Sequence, residues 1–306
     1  MTRRGLLLFA AMCVIWGIPY LFIRVAVGEL SPPTLVFFRT SLAALVLLPF
    51  ALSRGGLGAV RGKWVPLLFF AAFEVALPWL LLSSAEQHIS SALAGLLISA
   101  VPLVSVVIAT ALGNREHLRL ATLSGLLVGL VGVALIVGFD IRASDPISLL
   151  EMAGVVVGYA VGPAILARYL TGVPSVTVNG LALAICAIVY APVAALHWPQ
   201  TMPSLPVIAS VAVLALVCTA LAFLLFFALI AEIGPVRSTV ITYVNPAVAA
   251  VLGVTVLHEN FTLGMGAGFV LVLLGSILST RKAAAREVGV AVGEARREEA
   301  LQPPVA

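Results

Sequence analysis

Apolar runs of roughly 20 residues follow one another along almost the whole chain, separated by short polar or Pro/Gly-rich breaks. Each run is long enough to cross a hydrocarbon core of about 30 Å as a helix. The strict polar alternation of a membrane β-barrel strand is missing. With the breaks as boundaries, the pattern predicts ten helices, at about 5–28, 33–53, 64–84, 90–112, 119–139, 147–169, 174–196, 205–229, 235–257 and 261–280. The fold class expected is an all-α polytopic membrane protein. The remainder, 281–306, is rich in Ala, Glu and Arg and reads as a charged tail.

Composition sharpens this picture. Hydrophobic residues make up 62% of the 306 and charged residues only 10%, with a mean hydropathy of +1.18. A soluble surface normally carries about a quarter charged residues. The pI near 9.3 does not point to nucleic acid, because the basic residues lie in short loops and the tail rather than on one face. They serve better as orientation signals. With both termini on the cytoplasmic side, 14 of the 17 Lys and Arg residues fall inside, leaving Arg24, Arg39 and Arg142 towards the outside of a plasma membrane. Cys13, Cys186 and Cys218 stand singly within apolar spans, which indicates neither a disulfide framework nor a zinc site. No metal or cofactor is expected. The opening MTRRGLLLFAAMCVIWG has no small-residue cleavage motif before Arg24 and reads as an uncleaved first span.

The chain also repeats itself. PYLFIR at 19–24 matches PAILAR at 163–168, proline and arginine each recurring 144 positions on. Pro102 pairs with Pro246 at the same distance, and Glu116 with Glu259, Gly125 with Gly268 and Gly132 with Gly275 at 143. Residues 1–145 and 146–280 therefore form two repeats of five spans. Five is odd, so the second must enter the membrane from the opposite side, as an inverted repeat. Pro19, Pro102, Pro163 and Pro246 are the candidate kinks or hinges, since each removes a helical hydrogen bond. Arg24 and Arg168 then end spans 1 and 6 near the two interfaces, where a long side chain can snorkel to water.

In WGIPYLFIRVAV with SPPTLVFFRTSLAALVLL, in the proline-bearing spans 4 and 9, and in the Glu-then-glycine-rich spans 5 and 10, the chain resembles the EamA-type ten-helix members of the drug/metabolite transporter superfamily. The likeness covers roughly 5–280. It implies a secondary carrier that moves small metabolites or drug-like compounds, often outwards, through a central cavity between the repeats. One departure is that Arg39 aligns with the apolar Ala182/Leu183 region, so the halves are not equivalent there.

Glu74 is the most informative single residue, because an ionised side chain near a span's middle costs at least about 2.5 to 3.5 kcal/mol. It is a candidate for binding a cationic substrate group or shuttling a proton; a structural, protonated or Arg39-paired glutamate is the plain alternative. Arg39 could attract a carboxylate, although snorkelling or pairing with a neighbouring acid is the simpler expectation at its place near the end of span 2. Trp16 and Tyr20 lie one turn apart and could line a cavity or simply pack. Ser99 beside Pro102, and Tyr243 and Asn245 before Pro246, suit either a midplane binding site or the capping of carbonyls freed by proline. Asn245 is favoured for substrate contact, with Tyr159 and Asn179 behind it. Glu116 and Glu259 are expected at helix N-termini, and the four-residue glycine spacings of spans 5, 6 and 10 at close helix contacts.

A membrane enzyme with carboxylate chemistry is the alternative class, but the sequence has no His-Glu-x-x-His, no Gly-x-Ser-x-Gly and no phosphate loop. A purely structural or sensory protein would leave the duplicated, proline-broken arrangement without a purpose. The expected partners are a small-molecule substrate, with proton coupling an open option, and the lipid bilayer; monomer and homodimer both stay open.

Overall fold

A computed structural model describes residues 2–53, 56–111, 120–138, 145–238 and 240–278. Seven of its helical units are long and apolar enough to cross a membrane: α1 (Arg3–Ala26), α2 (Pro32–Leu52), α3 (Trp64–Ala85), α4 (Ser91–Ala111), α6 (Pro146–Tyr169), α7 (Ser175–Leu196) and α8 (Leu205–Ile233). Three shorter apolar helices complete the set: α5 (Thr122–Gly138), α9 (Ile241–Val256) and α10 (Leu263–Leu278). These are the ten expected elements, in the expected order. Their outward side chains are themselves apolar; Leu45, Leu127 and Ile188 are 70%, 65% and 73% exposed. Such a surface is stable only against lipid.

The helix pairing carries the mark of the repeat. Extensive contacts join α2 to α7, α4 to α9, α1 to α8 and α3 to α6. Each pairs a span of one repeat with a span of the other, and a shift of five spans exchanges the α1–α8 and α3–α6 pairs. Helices α5 and α10 meet through glycine. A Cβ on Gly132 would stand 2.6 Å from the Gly268 carbonyl oxygen, one on Gly268 2.5 Å from that of Gly132, and one on Gly275 2.5 Å from that of Gly125. Backbone cannot yield as a side chain can, so Gly132→Val is expected to cost about 2–3 kcal/mol, read as a lower unfolding midpoint in detergent. An unchanged midpoint would mean that α5 and α10 do not depend on this contact.

The four prolines divide into two kinds. Pro19 starts a new segment, Pro19–Ala26, after the Arg3–Ile15 segment of α1. Pro102 sits in the first turn of Val101–Ala111, following Ser91–Ile98 in α4. Both occupy first-turn positions, where the missing N–H costs nothing. Pro163 and Pro246, by contrast, lie inside helices that run on through them. A proline inside a helix that continues is a candidate kink rather than a break. Gly154, Gly158 and Gly162 of α6 lie directly on α3.

Two further irregularities had no sequence signal. Ala71–Ala76 in α3 and Val213–Leu221 in α8 are π-helical. They fall at equivalent places in the two repeats, about 143 residues apart. A π turn inserts a residue into the helical ladder, rotates the following side chains and loosens local carbonyls. Helix α7 meets this need in α3: the Tyr190 hydroxyl donates to the Ala76 carbonyl at 3.0 Å and the Cys186 thiol to that of Ala71 at 3.5 Å.

Candidate functional site

The two π turns bring chemistry to the interface between the repeats. In α8, the Thr219 hydroxyl donates to the Leu214 carbonyl, five residues back, at 2.8 Å. The same hydroxyl accepts from Nε of Arg39 at 3.1 Å. The guanidinium carbon of Arg39 stands 3.6 Å from the centroid of the Trp79 ring, in α3 just beyond the other π turn. Arg39 is only 7% exposed. It does not snorkel, and among the described residues its partners are a hydroxyl and an indole face rather than an acid. A stacked guanidinium with Nε engaged keeps its terminal N–H groups available to a planar acceptor.

Around Arg39 stand Tyr159 of α6 and Tyr20 of α1 as electrostatic neighbours, with Glu86 beyond them. Tyr20 is buried, its ring over Gly95 of α4, where an added Cβ would lie 3.6 Å from it. Tyr159 also neighbours Glu74 and Trp79. Glu74 belongs to the α3 π turn and packs against Gly162 of α6, its Oε2 enclosed without a hydrogen-bond partner. A guanidinium and a carboxyl thus flank Tyr159 between spans of both repeats.

Four of the nine expected site residues meet here: Arg39, Glu74, Tyr20 and Tyr159. The others are engaged elsewhere. Trp16 packs on Phe226 and Phe223 of α8, with ring centroids 4.7 and 6.2 Å away. With its amide nitrogen turned to the two carbonyls, Asn245 donates to Ile241 at 2.9 Å and Cys13 at 3.0 Å. Asn179 donates to the Ser175 carbonyl at 2.9 Å and Ser99 to that of Leu96 at 2.5 Å. Backbone satisfaction thus occupies these three, while Tyr243 is half-buried on α9. Thr219 and Trp79 were not singled out from sequence, being a lone hydroxyl and one aromatic in apolar runs.

The two ends of the bundle are tied by polar contacts between the repeats. At the end where α1 finishes, Glu259 accepts from the Ser91 N–H at 2.8 Å, the Ala92 N–H at 2.9 Å and the Ser91 hydroxyl at 3.0 Å. It therefore caps the N-terminus of α4, a span of the other repeat, rather than its own helix. Glu116 lies outside the described residues. Glu29 likewise accepts from the N–H of Ser204 at 2.7 Å and from its hydroxyl, at the residue just before α8. Those bonds hold the Glu29 carboxyl below the usual range. At the opposite end the Thr2 hydroxyl donates to Glu232, and Lys63 Nζ to the Thr171 carbonyl.

The profile of the EamA-like transporter family matches twice, at residues 3–138 and 147–281. The chain belongs to this family. It is a multi-pass membrane transporter built of two EamA units, not an enzyme. The transporter shares 24% identity with the uncharacterized transporter YvbV of Bacillus subtilis, over 96% of this chain and 97% of that one. It shares 26% with the uncharacterized inner membrane transporter YedA of Escherichia coli K12, over 89% and 91%. An uncharacterized transporter of Archaeoglobus fulgidus is 26% identical, over 90% and 98%. A crystal structure 23% identical in sequence superimposes with a TM-score of 0.64 over 94% of this chain and 99% of that one, a likeness of fold.

Proposed function

We propose that this transporter is an exporter of small carboxylate-bearing metabolites, such as amino acids or related compounds, working by alternating access around Arg39. The observation that carries the reading is the buried guanidinium, stacked on Trp79 and held by Thr219, with no hydrogen-bonded acid among the described residues. Burying an unpaired cation is unfavourable unless something completes it. A substrate carboxylate would do so through two parallel charge-assisted bonds. Glu74, across Tyr159, would then receive a cationic group of the substrate or a proton. Polar clamps at both ends of the bundle suit a carrier that opens one end at a time. The placing of Lys and Arg supports a cytoplasmic-membrane location with both termini inside, so that the Glu86 and Glu259 end faces out. The relative YedA is an inner membrane transporter.

The test is counterflow in liposomes containing the purified transporter, with labelled amino acids, other organic acids, polyamines, sugars and lipophilic cations. Exchange confined to carboxylates is expected. Exchange confined to compounds without a carboxylate would overturn the reading.

A further inference from the structure

Glu86 is fully buried, and both of its carboxyl oxygens lack a hydrogen-bond partner. It closes the C-terminus of α3, one residue beyond the apolar span, beneath the turn that leads to Ser91. The Arg24 guanidinium donates to its backbone carbonyl, not to its carboxyl. The groups that face it are Glu259 in the turn after α9, Arg24 and Tyr20 of α1, Arg39 of α2 and Tyr159 of α6. Burial first, and Glu259 second, push its carboxyl well above the ordinary range, while the two arginines oppose this.

Its position gives this carboxyl a task. Glu259 bonds the N-terminus of α4 through three donors, and this is where repeat two holds repeat one. His258 takes a left-handed φ of 56°, and the Glu259 N–H bonds the Gly253 carbonyl at 3.0 Å, aiming the carboxylate inwards. Gly253 leaves the room, since a Cβ there would run into Glu259 and come within 3.0 Å of the Ser91 hydroxyl. The Glu86 carboxyl thus lies beside the clamp.

We propose that Glu86 is a proton-binding site that keeps this end of the transporter closed when occupied and releases it when the proton leaves. An enclosed carboxyl without donors is stable only in its neutral form. Ionised, it repels the carboxylate of Glu259 and requires water, and water reaches it when Glu259 leaves α4. The sign follows: the closed form binds the proton more tightly, so closure dominates at low pH and is lost as pH rises through the raised value of the closed form. The inference rests on the alternating-access reading, but its test needs no substrate.

The reporter is Ile89→Cys, a buried position three residues from Glu86, in protein whose Cys13, Cys186 and Cys218 are replaced by alanine. Its labelling by a charged maleimide in nanodiscs is divided, at each pH, by that of the exposed control Gln87→Cys, which cancels thiol ionisation. With Glu86 present the ratio is expected to rise about fivefold or more from pH 5.5 to 8.5. With Glu86→Gln it stays low and flat. With Glu259→Gln it is raised at every pH, and the step persists. A flat ratio with Glu86 present, an equal step after Glu86→Gln, or an unaltered ratio after Glu259→Gln each overturns the proposal. Should Glu86→Gln fail to fold, the other two arms still decide. Carboxylate counterflow failing alongside an intact step would sink the substrate reading and leave the proton site standing.

Discussion

Replacing Arg39 by leucine is expected to lower carboxylate exchange about 100-fold, the loss of two charge-assisted hydrogen bonds worth about 3 kcal/mol together, while leaving thermal unfolding unchanged or raised. The two halves of this result have separate causes. Exchange falls because the substrate carboxylate loses its bidentate partner, the guanidinium stacked on Trp79 and held by Thr219. Stability does not fall, because a buried charge carries a desolvation cost that an apolar side chain of similar volume avoids. Arg39→Lys keeps the charge but loses the flat fork, and is expected to retain about a tenth of the exchange. Counterflow rates and unfolding midpoints, measured on the same preparations, check both halves. A leucine variant that unfolds early and transports normally would make Arg39 a structural residue.

The second large effect is expected at Glu74. Glu74→Gln should lower exchange about tenfold or more and flatten its dependence on pH between 5 and 9, since a side chain that is costly to bury charged must change state as the site opens to water. Gly162→Ala should produce part of the same defect without touching a charge. A Cβ at that position would run into the Glu74 carboxyl and come within 2.9 Å of its Cβ. The pair of variants separates charge from position. Wild-type pH profiles in both would remove Glu74 from the mechanism.

The sequence revealed the architecture more fully than the site. Ten apolar runs and a spacing of 143 to 144 residues were enough for the spans and the repeat, because membrane helices must satisfy their backbones locally and so leave long unbroken apolar runs. The breaks at Pro19 and Pro102 were legible for the same local reason. That the helices continue through Pro163 and Pro246 was not legible, since whether an internal proline interrupts a helix depends on neighbouring helices. Arg39 and Glu74 stood out as charges in apolar runs. Thr219 and Trp79 did not, because π turns rotate them into place and a 3.6-residue period has no means of showing such a turn. Asn245, Asn179 and Ser99 are polar residues in the right spans whose hydrogen bonds go to backbone carbonyls. Glu86 looked like a loop residue, in SSAEQHIS, and only the tertiary fold shows that it is buried.

A substrate site centred on Arg39 is tested most directly by comparing, in counterflow, an exchanged carboxylate with its own primary amide, the same molecule with its charge and one acceptor removed. The wild-type transporter is expected to prefer the acid by about 100-fold, and Arg39→Leu to erase the preference. Equal exchange of acid and amide by the wild-type protein would contradict a substrate site centred on Arg39.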